Sequence, residues 1–166
     1  YTSFAYHKNI NSRNADLFIF DFLTGKRWLV SYQKGINSGA NFLPNGKELL
    51  ITISKNGNPD IYRVNADGTN LRPITNGPNK AMNVEPAISP DGQTIAFSSD
   101  RSGEPMIYTM NLNGSMVKRL TFAGHYNSSP CWSPDGKYIV FSGYEKNHFD
   151  LFRINSRAET FEDYSA

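Results

Sequence analysis

The chain has 166 residues, 39% hydrophobic and 19% charged, a globular composition that excludes a disordered polar tract. Lys and Arg number 17 against 15 Asp and Glu, a net charge of +2, and the charges are dispersed, so there is no electrostatic case for nucleic acid or for insertion at a membrane surface. No apolar run approaches the ~18 residues of a membrane-crossing helix, and one cysteine, Cys131, excludes an internal disulfide and a cysteine zinc cluster; beside Trp132 that thiol reads as a small core residue.

From the N-terminus, the first strand-like run is Leu17-Phe18-Ile19. It recurs as Ile61-Tyr62-Arg63, Ile107-Tyr108-Thr109 and Leu151-Phe152-Arg153, at spacings of 44, 46 and 44. A second mark keeps the same beat: Pro44-Asn45-Gly46, Pro90-Asp91-Gly92 and Pro134-Asp135-Gly136 stand 46 and 44 apart. Each opens a run in near alternation of apolar and polar residues. About four strand-like runs per repeat of this length is the signature of β-propeller blades. In the first copy the matching hairpin would fall before Tyr1, so the chain is expected to start inside a blade.

The second copy predicts strands at Asn41 to Leu43, Glu48 to Ser54, Ile61 to Val64 and Leu71 to Thr75, the last an edge because Pro73 cannot donate to a ladder. The third predicts Glu85 to Ser89, Thr94 to Ser98, Met106 to Met110 and Val117 to Thr121, with Asp-Gly supplying the positive φ angles of a tight hairpin. The fourth keeps Pro130 to Ser133, Tyr138 to Ser142 and Leu151 to Ile154. It then departs: Phe161 and Tyr164 fall at the outer-strand positions, the tail reads as a weak outer strand or a frayed end, and its acidic cluster reads as a solvated face. The expectation is an all-β fold of four-stranded antiparallel blades without α-helix beyond a stray turn. About four blades are expected, near 1–32 (incomplete), 33–76, 77–122 and 123–166, as a segment of a propeller of six or more.

The string Ser89-Pro90-Asp91-Gly92-Gln93-Thr94-Ile95-Ala96-Phe97-Ser98-Ser99-Asp100-Arg101-Ser102-Gly103, then Ile107-Tyr108 and Arg119-Leu120-Thr121, resembles the repeat of the TolB propeller family. Trp132-Ser133-Pro134-Asp135-Gly136-Lys137 repeats its most characteristic portion. The resemblance runs from about Gly35 to Asn155. It implies a periplasmic, six-bladed propeller that binds protein, docking a Pal-like peptidoglycan-associated lipoprotein or another envelope protein at one face. The same repeat occurs in prolyl-oligopeptidase-like and tricorn-like serine peptidases, where the propeller gates access to a hydrolase domain. That is the alternative reading.

Function in a propeller sits in loops, because its strands are committed to packing. The loops from second to third strand and from blade to blade share one face: His7 to Asp16, Lys55 to Pro59, Asp100 to Pro105 and Gly143 to Asp150, with Gln33 to Ala40, Asn76 to Glu85 and Ala123 to Ser129. The opposite face receives short turns that promise little surface. Candidate partner contacts are Met82, Asn83, His125, Tyr126 and Asn127, where the chain enters innermost strands near the channel mouth. Arg101 joins them from its loop; local hydrogen bonding is the competing explanation for it, and loop-backbone satisfaction for the others. Asp91 and Asp135 read as turn residues rather than metal ligands. His7, His125 and His148 lack zinc or triad spacing, and neither Gly-x-Ser-x-Gly nor a phosphate loop occurs, so no catalytic residue, metal or cofactor is assigned.

Overall fold

A computed structural model describes residues 1–7 and 12–158. Its fourteen described strands form four antiparallel sheets. The first holds β1 (Thr2–His7), β2 (Ser12–Phe20) and β3 (Arg27–Ser31). The second holds β4 (Asn37–Phe42), β5 (Glu48–Ile53), β6 (Asp60–Asn65) and β7 (Arg72–Pro73). The third holds β8 (Asn83–Ile88), β9 (Thr94–Ser99), β10 (Met106–Asn111) and β11 (Lys118–Arg119). The fourth holds β12 (Tyr126–Trp132), β13 (Tyr138–Glu145) and β14 (His148–Asn155). Each sheet follows chain order, and the first strands of successive sheets, β4, β8 and β12, lie side by side. The only helical turn among the described residues is a 3-10 turn, Pro78–Lys80. The positions of Phe161 and Tyr164 and the acidic cluster lie outside the described residues.

The middle strands of the second and third sheets, β5 and β9, are buried on both faces, because each of these sheets is sandwiched between two others. In β5, Leu49, Ile51 and Ile53 join Leu17 and Val30 of the first sheet, while Leu50 points into a cluster with Ile95, Phe97 and Tyr108 of the third. In β9, Ile95 and Phe97 face back and Ala96 faces forward, toward Ile139 and Phe141. Period-2 alternation therefore sends successive side chains to different junctions rather than to core and solvent. The outer strand β7 is tied back by charge: Glu48 of β5 accepts from Arg63 of β6 and from Arg72 of β7.

The hairpin turns differ from expectation in one respect. Gly92 alone has positive φ, +74°, and Asp91 does not. Ser89 N–H donates to the Thr94 carbonyl at 2.8 Å, closing a four-residue loop in which only the glycine is left-handed. Asp91 Oδ1 accepts from Ser89 Oγ and from Gln93 N–H, and Asp135 repeats this with Ser133 and Lys137. At Gly114, φ is +85° and an added Cβ would lie 2.4 Å from the Ile74 carbonyl of the preceding sheet, so glycine there permits close junction packing.

Three sequence-based expectations are corrected. Innermost strands start earlier than expected, at Asn37, Asn83 and Tyr126, shortening the interblade loops. The Gly143 to Asp150 stretch is no loop: β13 and β14 pair up to Glu145 and His148, and Lys146 and Asn147, both left-handed, make the turn. Likewise β1 and β2 pair as far as His7 and Ser12. Cys131 is exposed. A bulge between Ser128 and Cys131 shifts the register of β12, and one extra residue inverts which face the following side chains take.

Leu50 is fully buried between two sheets, so Leu50→Ala is expected to cost about 2–5 kcal/mol, read from denaturant midpoints. A loss below about 1 kcal/mol would contradict face-to-face packing at that junction. The Asp91 and Asp135 carboxyls lie below the usual aspartate range, first because Ser89 and Ser133 donate to them, then through the Gln93 and Lys137 amides. Asp91→Ala and Asp135→Ala should lower the melting temperature at neutral pH. That deficit should shrink below about pH 3.9, as the natural turns protonate through their lowered folded values and lose the same stabilisation. A deficit constant across that window would remove the ionised carboxylate from the explanation.

Candidate functional site

The face carrying the second-to-third-strand and blade-to-blade connections brings the candidate residues together in two layers. The lower layer is buried. Asn83 has no exposed surface and Asn127 very little. Asn83 Nδ2 donates to Asp60 Oδ1 at 2.9 Å, its Oδ1 accepts from Arg101 Nη2, and its N–H donates to the Pro59 carbonyl of the preceding sheet. Asn127 N–H donates to Pro105 O at 2.8 Å and its Nδ2 to Ala123 O at 2.9 Å. Asn37, equally buried, accepts from Ser31 Oγ and Gln33 N–H. These three asparagines stand 46 and 44 apart. The amides of Asn83 and Asn127 are therefore spent on blade junctions, not held out to a partner.

Arg101 belongs to the same layer. Its guanidinium carbon sits 5.2 Å from the Phe97 ring centroid and 4.9 Å from that of Tyr108, while Nε donates to Ser99 Oγ at 3.1 Å. Burial pushes its pKa down, opposed by the nearby Tyr108, Asp60 and Asp100, and the group stays charged because an arginine starts so high. The competing local explanation is the one its contacts fit.

The upper layer is exposed. Met82 and Tyr126 each directly precede a buried asparagine, and alternation turns them outward to 39% and 42% exposure. Ile36 holds the same position before Asn37, at 48%. One exposed apolar side chain in each of the second, third and fourth blades thus lines the start of the innermost strand. Met82 and Tyr126 also share a small cavity of about 50 Å³ with Val84, Glu85 and Pro105. Phe149 meets Tyr126 edge-on at 5.9 Å and Tyr144 at 4.9 Å, and is 59% exposed. His125 is exposed, with Nδ1 3.5 Å from Glu104 Oε2, and His148 Nε2 lies 2.7 Å from Asp150 Oδ2. Sequence reasoning passed over Ile36, Tyr144 and Phe149. Ile36 was signalled by the same beat, one residue before Asn37.

Among the described residues no group of three or more His, Cys, Asp or Glu side chains could hold a metal ion, and no helix is long and apolar enough to cross a membrane.

Four sheets of this connectivity, with the first strands of the last three, β4, β8 and β12, side by side, define a β-propeller. Residues 2–164 match the model of the TolB beta propeller domain, and the chain belongs to that family. The Tol-Pal system protein TolB of Ruthia magnifica subsp. Calyptogena magnifica is 38% identical over 71 residues, 43% of this chain and 17% of that protein. The crystal structure of TolB from Acinetobacter baumannii superposes with a TM-score of 0.77 at 29% identity, covering 96% of this chain and 39% of that one. The tricorn protease shares the fold alone, with a TM-score of 0.55 at 18% identity over 86% of this chain and 16% of that one. This chain spans well under half the length of each of these relatives.

Asn83→Ala would leave Asp60 and Arg101 without their shared partner, and is expected to cost about 1–3 kcal/mol in unfolding free energy. Met82→Ala, one residue away and outward, should cost less than about 1 kcal/mol. Equal losses in denaturant titrations would contradict the two-layer assignment.

Proposed function

We propose that this propeller is a non-catalytic, protein-binding module of the periplasm that engages a Pal-like peptidoglycan-associated lipoprotein, or another envelope protein, through its loop face. The observation that carries the reading is the set of Ile36, Met82 and Tyr126, one outward apolar side chain in each of the last three blades, with Phe149 against Tyr126. Methionine and aromatic side chains are enriched in the cores of protein interfaces. Here each stands next to a side chain locked in a junction, so little ordering remains to be done on binding. Family membership and the Tol-Pal relative support the envelope setting. The polar neighbours His125 and Glu104 fit the rim of such an interface.

Hot spots concentrate in central aromatics, so Tyr126→Ala should weaken capture of the partner, a purified Pal-like lipoprotein or a protein retained from envelope extract, by about tenfold. Arg72→Ala, on an outer strand, should leave capture unchanged. Equal retention by both folded variants would place the binding surface elsewhere.

A further inference from the structure

The turn face, expected to offer little surface, holds a larger cavity than the one shared by Met82 and Tyr126. About 300 Å³ lies between the third and fourth sheets, against Ser89, Asp91, Trp132, Asp135, Ser156 and Arg157, at the lower end of the size range for small-molecule sites. Its origin is legible in the preceding junction, because the backbone repeats there. Leu43 and Ser89 N–H donate to the Glu48 and Thr94 carbonyls, and Leu112 and Ser156 N–H donate to those of Gln93 and Lys137. Ile88 and Trp132 pair with Ile95 and Ile139 in the same way. Between the second and third sheets these positions hold Leu43, Ile88 and Leu112, all packed into one apolar cluster. One junction later they hold Ser89, Trp132 and Ser156. Two leucines have become serines, and the space they fill in one junction is open in the next.

The polar groups at this cavity are already organised. Ser156 Oγ donates to the Gly136 carbonyl at 2.8 Å, and Trp132 Nε1 donates to the Ala87 carbonyl at 3.0 Å, which fixes the indole as a wall. Asp91 meets its turn donors with Oδ1 only, and Oδ2 carries neither bond. Arg157 stands exposed at the rim. Asp135 Oδ2 is already met by Lys137 Nζ at 3.6 Å, so the charges left to a ligand are those of Asp91 and Arg157: a simple cation would be repelled by the guanidinium and a simple anion by the Asp91 carboxylate. A ligand bearing both charges satisfies both sides.

We propose that this cavity binds a free aliphatic α-amino acid, with its ammonium toward Asp91, its carboxylate on Arg157, and its side chain against Trp132 in the volume that Leu112 fills one junction earlier. The site is independent of the loop-face reading. In a Trp28→Phe chain, Trp132 is the sole tryptophan and reports directly on the cavity. Titration with L-leucine should give a saturable fluorescence change, with glycine, leucine amide and N-acetyl-leucine each weaker by about tenfold. Arg157→Gln should weaken L-leucine by a similar factor and leave leucine amide unchanged. Ser156→Leu, which restores the plug, should abolish the response while the chain stays folded; if that variant fails to fold, Arg157→Gln decides alone. No saturable change, an unchanged response in folded Ser156→Leu, or equal binding of L-leucine and its amide or N-acetyl form would overturn the proposal.

Discussion

The asparagine that opens each described innermost strand is the interaction on which the arrangement of blades depends. A strand entering the middle of a propeller leaves the preceding blade's outer edge and must satisfy its first backbone and side-chain groups away from water. Asn83 and Asn127 do this by donating their N–H to the carbonyls of Pro59 and Pro105, themselves 46 residues apart, and by turning their side-chain amides into the junction. An amide that both donates and accepts can bridge a carboxylate on one side and a guanidinium on the other, as Asn83 does between Asp60 and Arg101. An aliphatic side chain there would take one hydrogen-bond partner from each of those groups.

Junctions built on one backbone plan differ in chemistry. Between the second and third sheets, Asp60 receives Thr75 Oγ1 at 2.7 Å as well as Asn83. One repeat later Met106 stands in place of Asp60, and both Thr121 Oγ1 and Asn127 Nδ2 lie against its thioether sulfur. The threonines keep their other task, accepting the N–H of Ile61 and of Ile107 at 2.9 Å. A charged network therefore supports one junction where a soft, weakly accepting sulfur serves the next. Because each blade contacts only its neighbours, such changes are tolerated one junction at a time.

What could be read from the sequence follows this division. Hairpin turns and middle strands were legible because their causes are local: a glycine that must be left-handed, a run of β-branched and aromatic residues, a proline at an edge. The roles of Asn83, Asn127 and Arg101 were not, although they kept the repeat's beat. A polar residue at a loop end looks the same whether it faces solvent or a partner from another blade, and its partners here, Asp60 and Pro105, lie some twenty residues or more away. Cys131 was misplaced because a bulge, which leaves no reliable mark in a single sequence, reverses the alternation. The Gly143 to Asp150 stretch contains no Asn-Gly or Asp-Gly pair, and its hairpin turns on Lys146 and Asn147, the second a residue type that tolerates the left-handed region.

The bulges also explain how the loop face comes to be both apolar and rigid. In β4, β8 and β12 the register shifts two residues past the opening asparagine, and the residue at that point, Gly39, Glu85 or Ser129, is left-handed. Side chains rather than a ladder then link adjacent innermost strands: Glu85 accepts from Ser129 N–H at 2.7 Å, and Asn41 Oδ1 accepts from Ile88 N–H at 3.2 Å. The segment from Ile36, Met82 or Tyr126 to its bulge is thereby held at two points, by the buried asparagine and by the bulge. With its neighbour fixed inward, the preceding residue has only the outward direction left, whatever its polarity. An apolar residue at that position is exposed by the backbone rather than by any preference of its own.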